Sequence, residues 1–583
     1  MSDMLIRGGT VIDGTGAPGY AADVRIAGDR IAEIGQGLTP AAGEKIIDAA
    51  GCYVTPGFIE AHTHYDAPMW WQPELDPLPG NGVTTIVTGN CGFTAAPISR
   101  DEEARLEMVK IFSFFEDIPL EPFLKHLPFD WHSFSEYRRS VEAKVKLPTN
   151  MAVFVGHIAL RLTVMGKEAW ERAATKDEIA RMAALLEDAL QAGALGLSDN
   201  LLDHDGQNRP IPTLKAEDDE FMALFDVLDR HPGACYQVII DNIMRHTGPA
   251  QTERMTRMLK GRGFRVQIAG AIPFREYSRE RVAPMKERID KMRAEGIDVW
   301  PGYAHVALTA QISIFKSLLF AQSNDYVWHE VVLAETDEEK AAILRDPDWR
   351  ARARESWDTK CWPISPMNNC DRLLLTRIGS DNGAGPFDMT LLEYAEQLGV
   401  HRSDAMAEWF LANGVRSAVR MAPDALIEDL VVELMNDPNT VGNISDAGAH
   451  QQMLCGGGEN ILLFTKYVRD LKAISVEQAV HIQTGKLARH FNLADIGEIK
   501  VGKRADIAVF DLAELQRHDM QRVYDADDGM GGATWRYSRP AAPMRVTIVG
   551  GEVTFDGERY TGAKPGTWLS PVGRDEAVRI AAE

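Results

Sequence analysis

Eight apolar runs recur along this chain: Cys52–His64, Thr84–Cys91, Met151–His157, Ala194–Ser198, Ala234–Ile240, Phe264–Gly270, Ile297–Tyr303 and Thr440–Asp446. Helical sequence separates most of them. The clearest helix spans Lys176 to Gln191, where Ile179, Met182, Ala183, Leu186 and Leu190 share one face and Gly193 supplies a stop. Apolar strands alternating with amphipathic helices predict a parallel sheet, and eight of them predict an α/β fold of the (β/α)8 TIM-barrel type. Such barrels carry their chemistry at the C-terminal ends of the strands. Those ends hold His62 and His64, Cys91, His157, Ser198 with Asp199, and Asp446.

The two ends of the chain follow another rule. Residues from about 4 to 50 read as short strands with Gly-Asp and Asp-Gly turns, and the same pattern returns at Ala505–Phe510, Arg545–Val549 and Glu552–Phe555. We expect one small β-sandwich domain built from residues 1–54 and 495–565, a barrel over 55–494, and a C-terminal tail at 566–583; two unrelated β caps are the alternative. Two insertions interrupt the barrel, near 102–150 and 320–366. The first is aromatic-rich (Phe112, Phe114, Phe115, Phe123, Phe129, Trp131, Phe134, Tyr137), and the second carries Trp328, Trp349, Trp357 and Trp362. Excursions of this length are lids or substrate walls, or else oligomer contacts.

Charge narrows the partners. A net charge of −23 over 583 residues argues against nucleic acid and against an anionic membrane surface. Six cysteines without a Cys-x-x-Cys pair do not make a disulfide framework (Cys52, Cys91, Cys235, Cys361, Cys370, Cys455). The N-terminus shows no signal-peptide pattern and no window reaches about 20 apolar residues, so a cytoplasmic protein acting on a small molecule is expected. A homodimer is left open.

His62 and His64 stand two apart on one strand, so both side chains face the same way, as two imidazole ligands of one metal must. Strand-end histidines bonded to neighbours are the plainer reading of such a pair. Cys91, in Gly89-Asn90-Cys91-Gly92, is either a metal thiolate or a small buried hydrophobe. Asp446 can bind a metal and also move a proton.

Together these segments resemble the amidohydrolase superfamily and, within it, the D-aminoacylase (N-acyl-D-amino-acid deacylase) family. Pro56-Gly57-Phe58-Ile59-Glu60-Ala61-His62-Thr63-His64 is similar to the first metal motif, and Gly89-Asn90-Cys91-Gly92 to the segment whose cysteine binds zinc. Gly156-His157-Ile158-Ala159-Leu160-Arg161 resembles a further family segment. Ser445-Asp446 stands at the place of the aspartate that is both ligand and general acid/base. Gly497-Glu498-Ile499 and Gly502-Lys503-Arg504-Ala505-Asp506 resemble the return of the β domain.

The resemblance implies a zinc hydrolase that cleaves an amide, an N-acyl amino acid or a related linear or cyclic amide, with metal-activated water. The family also supplies histidines from its fifth and sixth strands. The matching places here fall near Ile239 and Gly270, which offer no donor. One zinc ion per subunit is therefore expected, held by His62, His64, Cys91 and Asp446, with Asp446 catalytic. Arg161 is a candidate clamp for a substrate carboxylate, with a structural salt bridge as its alternative. His157, His450 and Trp70 are candidates for the substrate surroundings. The missing histidines also raise a non-hydrolytic alternative, a decarboxylase or C–C lyase, and more remotely an inactive binding protein.

Overall fold

The computed structural model describes residues 3–207, 209–240, 247–271, 279–307, 309–314, 327–360, 372–380, 383–421, 426–527 and 531–571. Cys361, Trp362, Cys370, part of the second insertion and the end of the tail lie outside the described residues.

The barrel closes in chain order. Phe58–Glu60 pairs in parallel with Val83–Thr88, and that strand with Asn150–Val153. Val155–Gly156 carries the third strand past Phe154 to Gly196–Leu201, followed by Cys235–Ile240, Arg265–Ala271 and Val299–Tyr303. A parallel bridge from Gly302 to Val441 leads to the eighth strand, and Ile444–Ala447 pairs with His62–Thr63 of the first. Every residue of Val83–Thr88 and of Gly196–Leu201 is buried, as strands covered on both faces must be. The helix Lys176–Gln191 packs outside. Its Thr175–Glu178 capping box fixes the start, and Met182, Leu186, Ala189 and Leu190 are buried.

Strands from both termini join in one eight-stranded sheet, in which Ile507–Phe510 lies between Met544–Val549 and Tyr53–Pro56. Period-two alternation divides the work of Ile507–Phe510. Ile507 and Val509 enter the core made with Met4, Ile6, Val24, Ile26, Val546 and Ile548. Ala508 and Phe510 face the barrel, where Phe510 lies 6.1 Å from Phe58, ring to ring. The run Cys52–His64 is thus two strands in two sheets, not a single barrel strand. Its first half pairs with Met4–Val11 in the terminal sheet, and Phe58 begins the barrel.

The first insertion forms the helices Glu102–Phe115, Leu120–His126 and Phe134–Lys144. Its aromatic side chains belong to the barrel's own core: Phe112 and Phe115 stack on Phe93, and Trp131 stacks on Trp70. The second excursion is larger than residues 320–366. A separate hydrophobic core gathers Ala310 and Ile312 at one end, Val415 and Val419 at the other, and Trp328, Trp349 and Trp357 between them. Those tryptophans pack on one another, with Trp328 5.1 Å from Trp349, so they serve that core. Among the described residues no helix is long and apolar enough to cross a membrane.

Candidate metal centre

Three strand ends meet at the barrel mouth. His62 and His64 close the first strand, 2% and 1% exposed. Beside them the pairing of the eighth strand shifts between Ile444 and Ala447, so Asp446 is displaced from the ladder with φ 51. Cys91 follows the second strand with φ 59. Non-glycine residues in this left-handed region are costly, and such strain gathers at functional sites.

The loop carrying Cys91 is packed tightly. A Cβ on Gly89 would lie 2.3 Å from the carbonyl oxygen of Phe154, and one on Gly156 would lie 2.2 Å from that of Gly92, so the third strand can approach only glycine. The fourth and fifth strands grip the loop with polar side chains. Ser198 accepts from the Gly92 N–H at 3.0 Å and donates to the Gly89 carbonyl at 2.5 Å. Gln237 accepts from the Cys91 N–H at 2.9 Å. Gln237 is therefore a brace for a ligand loop, and Ile239 packs against the apolar core.

The donor atoms converge. His62 Nε2 lies 3.0 Å from Cys91 Sγ and 3.3 Å from Asp446 Oδ1, while His64 Nε2 lies 3.9 Å and 3.7 Å from the same two atoms. Tetrahedral zinc with bonds of about 2.0–2.3 Å sets its donors roughly 3.3–3.8 Å apart. His62, His64 and Cys91 together meet the spacing of a metal-holding group. Asp446 is the open member, with 31% of its side chain exposed against 3% for His62.

The surroundings are short of positive charge. Burial pushes the Cys91 thiol well above its ordinary range, and Glu116, Asp446, Asp203 and Asp66 push it further. Glu116 is raised by burial and by Asp446, Asp203, Asp117 and Asp66; Asp66 is raised to about 6, chiefly by burial. Burial lowers His62 to about 4, which leaves a neutral imidazole suited to a metal. For Asp446 burial acts upward, but the neighbouring His64, His62 and His450 hold its carboxyl below the usual range. His62 Nδ1, Glu116 Oε1 and Asp66 Oδ1 are buried without hydrogen-bond partners. Two imidazoles, a thiol and a carboxylate amid excess negative charge fit a zinc-like cation.

Other expectations need correction. Arg161 is fully buried and pairs with Glu220, while its other nitrogen donates to the carbonyls of Ala169 and Arg172. It has no reach to a substrate carboxylate. His157 begins the helix His157–Met165 rather than ending a strand, and its two nitrogens meet Asp199 at 3.2 Å and Glu220 at 2.7 Å. It too is fully buried and committed. Trp70 stacks on Trp131 at 5.6 Å and so anchors the first insertion. His450 does stand at the site's edge, with Nδ1 2.9 Å from Asp117 Oδ2 and φ 52.

Glu116 went unnoticed in the sequence. It caps the C-terminal end of Glu102–Phe115, is 2% exposed, and sets Oε1 3.2 Å from His64 Nδ1. One signal was present: Glu116-Asp117 puts two acids at a helix C-terminus, where the helix dipole disfavours negative charge.

Comparison with known proteins agrees with this geometry. The N-acyl-D-aspartate deacylase of Alcaligenes xylosoxydans xylosoxydans is 28% identical, over 98% of this chain and 95% of its own. A crystal structure of D-aminoacylase, described as defining a novel subset of amidohydrolases, superposes with a TM-score of 0.65 at 25% identity, covering 98% of this chain and 100% of that one. A second D-aminoacylase structure matches with TM-score 0.64 at 25% identity over the same shares; its binuclear metal centre is described as activated by one metal and attenuated by the second. The sequence matches the amidohydrolase family over residues 45–352 and 384–555. Barrel, terminal sheet and sequence together place this chain in the amidohydrolase family, among proteins like D-aminoacylase.

Proposed function

We propose that this chain is a metal-dependent hydrolase of carbon–nitrogen bonds acting on a small molecule, an N-acyl amino acid or a related linear or cyclic amide, with one zinc ion per subunit. The observation that carries the reading is the convergence of His62, His64 and Cys91 donors within 4.8 Å of one another, with Asp446 Oδ1 3.3 and 3.7 Å from the two imidazoles. The D-aminoacylase described as activated by a single metal supports a one-metal centre. Zinc bound there would polarise the amide carbonyl and acidify a water molecule.

The protein's own groups do the rest. His62, His64 and Cys91 form the closed side of the centre, buried and braced by Gln237 and Ser198. Asp446 faces the open side and stays ionised, so its carboxylate can take the proton of the attacking water and return it to the departing nitrogen. Ile239 and the apolar packing around it leave the fifth strand without a donor there, which motivates a lyase as the second reading.

Metal analysis of freshly purified protein, paired with a panel of N-acyl amino acids and cyclic amides in 18O water, tests both. About one zinc per chain, solvent oxygen in the carboxylate product, and loss of metal and turnover in His62→Ala are expected. A metal-free wild type, or full turnover in His62→Ala, would sink the proposal. Release of carbon dioxide or an aldehyde without solvent oxygen would replace hydrolysis by lyase chemistry.

A further inference from the structure

The first insertion reaches the metal centre with a carboxylate. Glu116 follows the last turn of Glu102–Phe115, its N–H donating to the Phe112 carbonyl, and Phe112 and Phe115 are fixed by stacking on Phe93 just beyond Cys91. Its own carbonyl accepts the His450 N–H at 2.6 Å. Asp117 turns with φ 47 to meet His450 Nδ1. The insertion is thus tied to the segment after the second strand and to the segment after the eighth. Between these ties the Glu116 side chain approaches His64, with Oε1 3.2 Å from Nδ1, and both atoms are buried with no other group to bond to.

We propose that Glu116 is a positioning residue for His64: its carboxylate accepts the Nδ1 proton and so directs Nε2 toward Cys91 and Asp446. The inference rests on the metal reading above. It makes the insertion a structural part of the centre, where the sequence predicted a lid, a substrate wall or an oligomer contact. A ligating imidazole whose other nitrogen donates to a carboxylate is held in one tautomer and orientation and is a stronger base toward metal. It also gives a buried carboxylate at the C-terminal end of a helix a use that repays its desolvation. The Nε2 of His64 is the atom shared by two of the four donor separations, so rotation of this ring would open both.

The test is metal affinity by chelator competition on the full chain, together with the visible spectrum of the cobalt-substituted protein. Glu116→Gln should weaken zinc binding about 10–100-fold and shift the cobalt bands, Glu116→Ala at least as far, and Glu116→Asp should fall between. Asp117→Asn serves as the matched control. It alters the neighbouring tie of the insertion without touching His64, and should leave zinc affinity within about twofold of the wild type.

A wild-type affinity and spectrum in folded Glu116→Gln would overturn the proposal. An equal loss in Asp117→Asn would overturn it as well, because docking of the insertion would then be the cause. If the Gln and Ala variants fail to fold, Glu116→Asp decides: unchanged affinity and bands count against the role. A wild type that holds no metal would remove this inference together with the proposed function, whereas a zinc-bound wild type indifferent to Glu116 would remove this inference alone.

Discussion

Two buried clusters in this barrel both set histidines among carboxylates and differ in how completely their needs are met. Behind the third and fourth strands, His157 bonds to Asp199 and Glu220, Arg161 pairs with Glu220, and Tyr236 donates to Asp199 at 3.2 Å. His157, Arg161 and Asp199 are inaccessible, and each anion faces a cation or a donor. At the mouth, Asp66, Glu116, Asp203 and Asp446 surround a thiol and two imidazoles, and buried atoms of Glu116, Asp66 and His62 lack partners. In the first cluster Arg161 Nε alone of these residues' atoms lacks a partner; a network so nearly satisfied is structure, whereas one missing several partners marks where something else binds. Burial and unusual pKa values are common to both clusters, so neither property separates them.

The largest test of this contrast removes one carboxylate from each cluster. Asp446→Asn should lower kcat by about 10²–10⁴-fold, the range for loss of a general acid/base, with little change in the unfolding midpoint. Glu220→Ala should do the reverse. It leaves Arg161 charged and buried without its carboxylate and His157 with Asp199 alone, which costs about 3–5 kcal/mol of stability, while metal content of the surviving folded protein stays stoichiometric. Kinetics, chemical denaturation and metal analysis on both variants give the four readings. A strong loss of stability in Asp446→Asn would break the comparison.

This contrast also shows what could be read from the sequence. Local periodicity carries the eight strands and the helix Lys176–Gln191, because a strand's alternation and a helix's face are written within a few residues. The pair His62 and His64 is legible for the same reason. The break within Cys52–His64 is harder, because which sheet a strand joins depends on partners hundreds of residues away, here Ile507–Phe510. Arg161 and His157 stand four apart on one helix face, and nothing nearby in sequence announces that Glu220 will meet both. Glu116 is hidden for the converse reason. Its helix comes from an insertion, and only tertiary packing of Phe112 and Phe115 on Phe93 brings it to His64.

The pH dependence of stability sharpens the comparison on a smaller scale. Burial acts to lower the pKa of His157, but Asp199 and Glu220 override it and raise it to about 9. A group raised in the folded state contributes stability that is full below its unfolded value, about 6.5, and lost as pH climbs through about 9. Burial acts to raise Glu220, yet its bond to His157 and the charges of His157 and Arg161 leave it lowered. Its contribution is full above about 4.5 and lost as pH falls through the folded value. The stability difference between wild type and His157→Gln, measured by denaturant titration, should therefore be greatest between about pH 4.5 and 6.5 and shrink toward pH 9. A difference that grows between pH 7 and 9 would show that His157 is neutral in the folded protein.

The smallest effect concerns the brace under the thiol. Gln237 stands on the fifth strand, two residues before Ile239, and its side-chain carbonyl accepts the Cys91 N–H at 2.9 Å. Gln237→Leu keeps the bulk of the side chain and deletes that acceptor. A buried N–H left without a partner costs about 1–3 kcal/mol. Cys91 sits at φ 59, so its loop has a ready way to relax toward ordinary backbone geometry and withdraw Sγ from the histidines. Zinc affinity in Gln237→Leu should then fall several-fold, with the effect confined to the metal: the stability of the His157 network, read through its pH profile, should not move. Gln237→Glu separates the hydrogen bond from the charge, since it restores the acceptor and adds a negative group beneath an already acidic centre. Recovered affinity in the Glu variant would show that the fifth strand, which lacks a donor at Ile239, still serves the centre by holding the backbone of Cys91. Unchanged affinity in the Leu variant would mean that the Ser198 hydrogen bonds and the close packing at Gly89 and Gly156 fix the loop without Gln237.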